Sequence, residues 1–332
     1  MSQRRIKQGH AIDPFPLAQM SHSFSGHILN GKLSKSRHHA RKSIKLFLLC
    51  AGCGDQSKIE IAAMMQIVPP PALPIHLSRR FATMRAILAL MLREMATTYG
   101  RSPGGYLWAV LEPVGGIAIL TVIFSFGFNA PSLGTNFPIF YATGVLPFMM
   151  FNSVCNRVST ALLFSKSLLA YPAVTFVDAL LARFIVNTVT QAMVGYVVFG
   201  GLLTIYDTRT LPAPLLIVQS FALTALLALG IGTLNAYLIA RFAVWQMVWS
   251  ILTRPLFLIS GIFFLFNAMP HPMRDVVWFN PLIHVVGIMR AGFYPTYDAS
   301  YASTAYVLLV SLLSFAGGLL LLRRSHRDFI GD

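Results

Sequence analysis

Residues 213–238 read APLLIVQSFALTALLALGIGTLNAYL, a run of 26 residues without a charged side chain. A helix needs about 20 predominantly apolar residues to cross the hydrocarbon core of a bilayer, which is roughly 30 Å thick. The run is long enough for one crossing and carries no charge of the kind that a solvent-facing helix shows. It therefore predicts a membrane-spanning helix.

Five further stretches share this character, because each is mostly apolar and bounded by turn residues or charge: 106–128, 136–156, 177–203, 247–267 and 302–322. Over the 332 residues, 55% are hydrophobic and 11% are charged, whereas a soluble domain carries about 25% charged residues. This composition excludes most cytosolic enzymes. We predict an all-α integral membrane protein with six transmembrane helices in residues 105–332.

The interval between the fifth and sixth predicted spans contains four prolines and two short apolar stretches, 276–279 and 282–289. Neither stretch is long enough to cross a bilayer alone. We predict two re-entrant half-helices, which enter the bilayer and return, and which are tolerated where protein or a wet cavity surrounds them. An ordinary external loop is the alternative.

Residues 75–104 predict an amphipathic helix. Apolar residues recur at three- and four-residue intervals, namely Leu77, Phe81, Met84, Ile87, Leu88, Met91, Leu92 and Met95, and five charged residues interrupt them. A basic helix of this pattern is typical of the membrane interface. We place it on the cytosolic surface, with a helix packed inside the protein as the alternative.

Residues 1–74 have a different composition and predict a basic, disordered leader. Ser, His, Lys and Arg dominate residues 1–63, and four prolines between 69 and 74 mark the boundary with the following helix. Met64 and Met65 stand just before the composition changes. A start codon assigned too far upstream is therefore a second interpretation of this segment.

The distribution of charge predicts the orientation. With a cytosolic N-terminus, 21 Lys and Arg residues fall on the inner side of the six spans and three fall on the outer side. Eleven against three remain without residues 1–63. Cytosolic flanks of spanning helices are enriched in Lys and Arg, so both termini are predicted to be cytosolic. The net charge of +15 then needs no nucleic-acid partner.

Few chemical groups are available for an ion-driven pump or a membrane enzyme. Glu112 is the one carboxylate deep in a predicted span, and ion carriers need such groups. The sequence shows no paired carboxylates and no nucleophile triad, and its three cysteines suit neither a disulfide framework nor a zinc site. Residues 26–32 have the spacing of a phosphate-binding loop, but Leu33 replaces the required Ser or Thr. We predict no catalytic residues, metal or cofactor, and an energy source on another chain.

Two motifs resemble a known family. Residues 101–113 read RSPGGYLWAVLEP, which is similar to the start of the first span in type-2 ABC exporter permeases of the polysaccharide and polyol-phosphate branch, where capsule and O-antigen exporters belong. The matching residues are Arg101, Gly105, Tyr106, Trp108, Glu112 and Pro113. The second motif lies in the predicted re-entrant segment and comprises Asn280, Pro281, His284 and Arg290.

The resemblance implies a bacterial inner-membrane permease that exports a glycan as a homodimer. It also implies two copies of a separate cytosolic ABC ATPase, which binds the ATP, and periplasmic and outer-membrane export proteins as further partners. The loop between spans two and three is then the ATPase-coupling segment, with Lys166, Leu168, Leu169, Tyr171, Pro172 and Asp178 as its candidate residues. Because a residue before proline is disfavoured in helical geometry, Tyr171 and Pro172 predict a bend there.

Aromatic side chains are the candidate glycan contacts, since amphipathic rings offer an apolar face and a polar tip. The predicted path comprises Tyr106, Trp108, Phe257, Phe264, Trp278 and Tyr294. Arg274 and Arg290 are candidate contacts for an anionic sugar on the outer side. Interfacial anchoring is the alternative for the Trp and Tyr residues, and packing or lipid contact is the alternative for the Phe residues.

Two other functions remain open at this point. One is a type-2 ABC exporter of a drug or small lipid, and the other is a membrane protein that assists assembly without transporting anything. The genes beside this one, encoding either glycosyltransferases or resistance proteins, would separate the two exporters.

Overall fold

The computed structural model describes residues 82–98, 104–169, 175–206 and 211–330. The predicted leader lies outside these ranges. The described part of the chain contains ten α-helices: α1 Ala82–Thr98, α2 Gly105–Gly127, α3 Phe137–Ser159, α4 Ala161–Leu169, α5 Phe176–Ile205, α6 Pro214–Arg241, α7 Trp245–Ile259, α8 His271–Trp278, α9 Pro281–Phe293 and α10 Thr304–Ile330. A short 3-10 helix, Phe266–Ala268, precedes α8. The prediction of an all-α integral membrane protein is confirmed.

Helix α3 forms the centre of the bundle. It contacts α2, α5, α6 and α9. In its most apolar 18-residue stretch, 78% of the residues are buried, against 11% for α2 and 22% for α10. Five helices, α2, α3, α5, α6 and α10, are long and apolar enough to cross a membrane. They coincide with five of the six predicted spans.

The helix in the fifth predicted span ends before the apolar run does. Helix α7 ends at Ile259 after 15 residues, which corresponds to about 22 Å and falls short of the roughly 30 Å core. Gly261 then adopts a left-handed backbone conformation with a φ of 77°, which side chains with a Cβ rarely adopt. The apolar side chains continue past this turn, so hydropathy could not locate the end of the helix.

The predicted half-helices are present as α8 and α9, which are separated by a bend of 99°. Asn280 starts α9, because its side-chain oxygen accepts a hydrogen bond from the Leu282 amide at 3.1 Å, and Pro281 occupies the first turn, where no donor is lost. Taken as one broken span, α8 and α9 bring the total to six.

Helix α1 falls within the predicted amphipathic segment. It packs against α5, while Met84, Leu88, Leu92 and Met95 remain exposed along its length. One face thus contacts protein and another leaves apolar side chains uncovered. This arrangement combines features of both sequence interpretations.

Candidate functional site

The first family motif forms the start of α2. Gly104 precedes the helix with a φ of 86°, and its carbonyl accepts a hydrogen bond from the Trp108 amide at 3.0 Å. The Trp108 side chain is 68% exposed, Glu112 is exposed and Pro113 is buried. Gly105 opens the helix and Tyr106 follows it in the backbone, whereas Arg101 lies outside the described residues.

A polar pocket of about 450 Å³ lies beside this motif, lined by residues of α2, α3 and α5. Trp108 and Glu112 line it from α2, and four polar side chains join them, namely Asn152, Ser153, Asn156 and Gln191. Asn156 donates to the Asn152 side-chain oxygen at 3.0 Å, and Gln191 donates to the Ser153 hydroxyl at 3.0 Å. These four residues are not among the predicted site residues, although the two amides at i and i+4 within a predicted span are a detectable signal.

The predicted coupling residues are divided between described and undescribed parts of the chain. Lys166, Leu168 and Leu169 belong to the backbone of α4, and their side chains are not described. Tyr171 and Pro172 lie outside the described residues.

Asp178 is 4% exposed and starts α5. Its carboxylate accepts a hydrogen bond from the Thr175 amide at 3.0 Å, and the Asp178 amide donates to the Thr175 hydroxyl at 3.2 Å. In the single chain this charge stabilises the beginning of its own helix, an arrangement called a capping box.

A buried ion pair joins α1 to the region around α4. Arg183 of α5 and Glu94 of α1 lie 3.0 Å apart, with side chains 6% and 2% exposed. Arg183 also donates to the Arg157 carbonyl at 3.0 Å and to the Thr160 hydroxyl at 2.9 Å. Its guanidinium lies 4.1 Å from the centre of the Phe164 ring on α4. One arginine thus holds together α1, α5, the end of α3 and the start of the predicted coupling segment.

His284 connects α8, α9 and the start of α10. It is fully buried, its Nε2 lies 2.8 Å from the Trp278 carbonyl, and its Nδ1 accepts from the Ser303 amide at 3.2 Å. Since a carbonyl can only accept and an amide can only donate, this geometry assigns the neutral tautomer with the proton on Nε2.

Arg290 is 1% exposed and contacts the loop that follows α7. It donates to the carbonyls of Phe264 at 3.0 Å and Ile262 at 3.1 Å, and its guanidinium lies 4.5 Å from the centre of the Phe140 ring. These contacts fix the loop and leave Arg290 buried within the single chain. Arg274 is half-buried and lies 5.8 Å from the centre of the Phe266 ring.

Four of the other aromatic candidates are half-buried and packed against other side chains, namely Phe257, Phe264, Trp278 and Tyr294, whereas the Tyr106 side chain is not described. Phe257 contacts Phe148 with ring centres 5.0 Å apart, and Trp278 contacts Tyr306 with ring centres 5.0 Å apart. Burial raises the pKa of the Tyr294 phenol to about 12, with Arg290 acting in the opposite direction. Phe264 contributes its carbonyl to Arg290. Trp108 thus differs from the others in its degree of exposure.

Among the residues that the structure describes, no three His, Cys, Asp or Glu side chains are arranged to hold a metal ion. Within the described residues, the pocket beside α2 and the ion-pair network at α4 are two polar assemblies on which a function can be built.

Residues 85–294 match the family model described as ABC-2 type transporter. This match covers more than half of the chain, and the chain therefore belongs to the ABC-2 type transporter family.

Several relatives of this chain have named functions. The chain is 31% identical to the polysialic acid transport protein KpsM of Escherichia coli over 71% of its own length and 91% of that protein. It is 27% identical to the capsule polysaccharide export inner-membrane protein CtrC of Neisseria meningitidis, over 72% of this chain and 91% of CtrC. BexB of Haemophilus influenzae, with the same description as CtrC, is 26% identical over 72% of this chain and 90% of BexB.

Proposed function

We propose that this chain is the transmembrane permease subunit of an ATP-driven exporter that moves a polysaccharide of the capsule or O-antigen type across the bacterial inner membrane. The observation that carries the proposal is the similarity to KpsM, CtrC and BexB across about nine tenths of each relative. The names of these relatives favour a glycan over a drug or small lipid, and export over assembly.

A deletion strain tests the proposal. Without the gene, glycan should accumulate inside the cell and disappear from the surface. Expression of the gene from a plasmid should restore the surface glycan. Immunoblots of intact and lysed cells with an antibody against the surface glycan measure both pools. Surface glycan at the wild-type level in the deletion strain would overturn the proposal.

ATP hydrolysis belongs, in this proposal, to two copies of a separate cytosolic ATPase that contacts the segment following α4. Support comes from the family membership and from the ion-pair network, which attaches the Phe164 ring of α4 to Arg183. Movement of α4 is thereby transmitted to α1 and α5. Deletion of residues 168–173 should abolish both export and co-purification of the ATPase, while the protein remains in the membrane. Unchanged export would contradict the coupling role.

A second copy of the chain completes the proposed transport path. Helix α7 has no buried residue in the single chain, and its Arg254 is exposed. A charge inside a membrane segment is costly against lipid and faces protein or water instead. The exposed face of α10 over residues 304–322 carries no charge and suits lipid, so we place α7 and not α10 at the contact between copies.

Cysteine cross-linking tests this arrangement. Ile251 on α7 is 57% exposed and Leu313 on α10 is 66% exposed, which makes them matched positions. With Cys50 and Cys53 replaced by Ser, oxidation of membranes should link Ile251→Cys into dimers and leave Leu313→Cys monomeric. Dimers from Leu313→Cys alone would reverse the assignment.

A further inference from the structure

Three apolar helices direct polar side chains into the pocket beside α2. Asn152, Ser153 and Asn156 come from α3, Gln191 comes from α5, and Glu112 comes from α2. All three helices are long and apolar enough to span a membrane. Polar groups cost free energy inside a bilayer unless they meet protein, water or a polar ligand. Five of them at one pocket therefore indicate a volume that excludes lipid.

The hydrogen bonds within the pocket leave several groups for a ligand. Asn156 and Gln191 each use one amide N–H, and Asn152 uses its side-chain oxygen. A carboxamide has two donor hydrogens and an oxygen with two lone pairs. The Asn152 amide nitrogen and the oxygens of Asn156 and Gln191 consequently keep donor and acceptor capacity, and the Glu112 carboxylate adds acceptors. A set of neighbouring donors and acceptors suits the vicinal hydroxyl groups of a sugar.

Trp108 supplies an apolar surface at the same pocket. Its ring is 68% exposed and lines the pocket. The indole face suits the apolar C–H face of a pyranose. The indole N–H is a donor for a sugar oxygen. The pocket volume of about 450 Å³ falls within the roughly 300–1,000 Å³ of small-molecule sites.

We propose that this pocket binds one sugar ring of the exported glycan at the cytosolic end of the path. The inference rests on the proposed function and adds a location and a mode of recognition to it. Trp108 stacks on the ring, while Glu112, Asn152, Asn156 and Gln191 exchange hydrogen bonds with its hydroxyl groups. Arg157 lines the pocket as well and places a positive charge beside it.

Protection of a cysteine tests the pocket directly. Asn152→Cys is introduced into a chain in which Cys50 and Cys53 are replaced by Ser, and Cys155 is kept because it is fully buried. Inverted membrane vesicles are treated with a water-soluble maleimide. The probe is a mixture of short oligosaccharides released by mild acid from the surface glycan of the same cells. We expect Asn152→Cys to react, and its reaction to slow severalfold when the oligosaccharides are present.

Matched controls separate binding from general effects. Arg324→Cys lies on an exposed part of α10 and should react at one rate with or without oligosaccharide. Polyethylene glycol of equal mass should protect neither position. Adding Trp108→Phe to Asn152→Cys should retain most of the protection, whereas adding Trp108→Ala should remove it, because only the ring is needed for stacking.

Each outcome bears on the inference. Reaction without protection by oligosaccharide would overturn sugar binding, and failure of Asn152→Cys to react while Arg324→Cys reacts would overturn the lipid-free pocket. Either result alongside loss of surface glycan in the deletion strain refutes the pocket and leaves the exporter intact. Surface glycan at the wild-type level in that strain refutes the exporter itself.

Discussion

Arg183 and Glu94 meet in the protein interior although 89 residues separate them in sequence. Removing one member of a buried ion pair leaves an uncompensated charge and costs about 3–5 kcal/mol. Glu94→Leu and Arg183→Met should therefore each lower the unfolding temperature of the detergent-solubilised permease sharply. The unfolding temperature of the double variant should fall by less than the sum of the two single decreases, since contacting residues are coupled.

Arg85→Met provides the control for this cycle. Arg85 is exposed on the same helix as Glu94, and exposed substitutions usually change stability by within about 0.5 kcal/mol. Strictly additive losses for Glu94→Leu and Arg183→Met would show that the pair does not stabilise the fold as a unit.

Sequence patterns could not have found this pair. Arg183 lies in an apolar run, where it reads as an isolated charge in a membrane span, and Glu94 follows Arg93 on a basic helix. Their meeting depends on α1 packing against α5. Periodicity predicts which face of a helix is apolar, but it contains no information on which distant helix covers that face.

Helices α6 and α10 approach each other closely through small residues. A Cβ built on Gly318 would lie 2.7 Å from the Leu234 backbone nitrogen, and one built on Gly230 would clash with the Ser311 backbone, whereas one built on Gly317 meets nothing within 4 Å. Glycine at such positions allows helices in a membrane to pack backbone against backbone.

Gly318→Ala should destabilise the permease and Gly317→Ala should not. Overpacking at Gly318 costs about 1–3 kcal/mol, while alanine in an open helical position gains up to about 1 kcal/mol over glycine. Thermal unfolding of the two purified variants measures the difference. Equal unfolding temperatures would show that α6 and α10 move apart to accommodate the added methyl group without loss of stability.

At the scale of elements, hydropathy predicted five spanning helices because each consists of an apolar run of membrane length. It overextended α7, because residues 262–266 stay apolar while Arg290 binds the backbone carbonyls of Ile262 and Phe264. The two half-helices were predictable from Pro281 and the short apolar runs. The polar pocket was missed because its residues are spread over three helices, and the pair Asn152 and Asn156 is the part of it that one helix alone reveals.

The whole molecule has two surfaces that the predicted orientation assigns to opposite sides of the membrane. Ser300, between α9 and α10, and Arg324, near the end of α10, are both exposed. With Cys50 and Cys53 replaced by Ser, Ser300→Cys should react with an impermeant maleimide in spheroplasts. Arg324→Cys should react only in inverted vesicles. The opposite pattern would place both termini outside the cytosol and contradict the charge distribution.

The bend between α8 and α9 sets an order for membrane integration during synthesis. At 8 and 13 residues, neither helix reaches the roughly 20 residues that enter a bilayer independently. Two contacts of α9 are with segments made earlier, since Arg290 contacts Phe140 and the loop after α7, and Ser220 donates to the Val285 carbonyl at 2.9 Å. Helices α8 and α9 are thus inserted by packing against helices that already lie in the membrane. Their insertion therefore depends on correct insertion of the preceding helices.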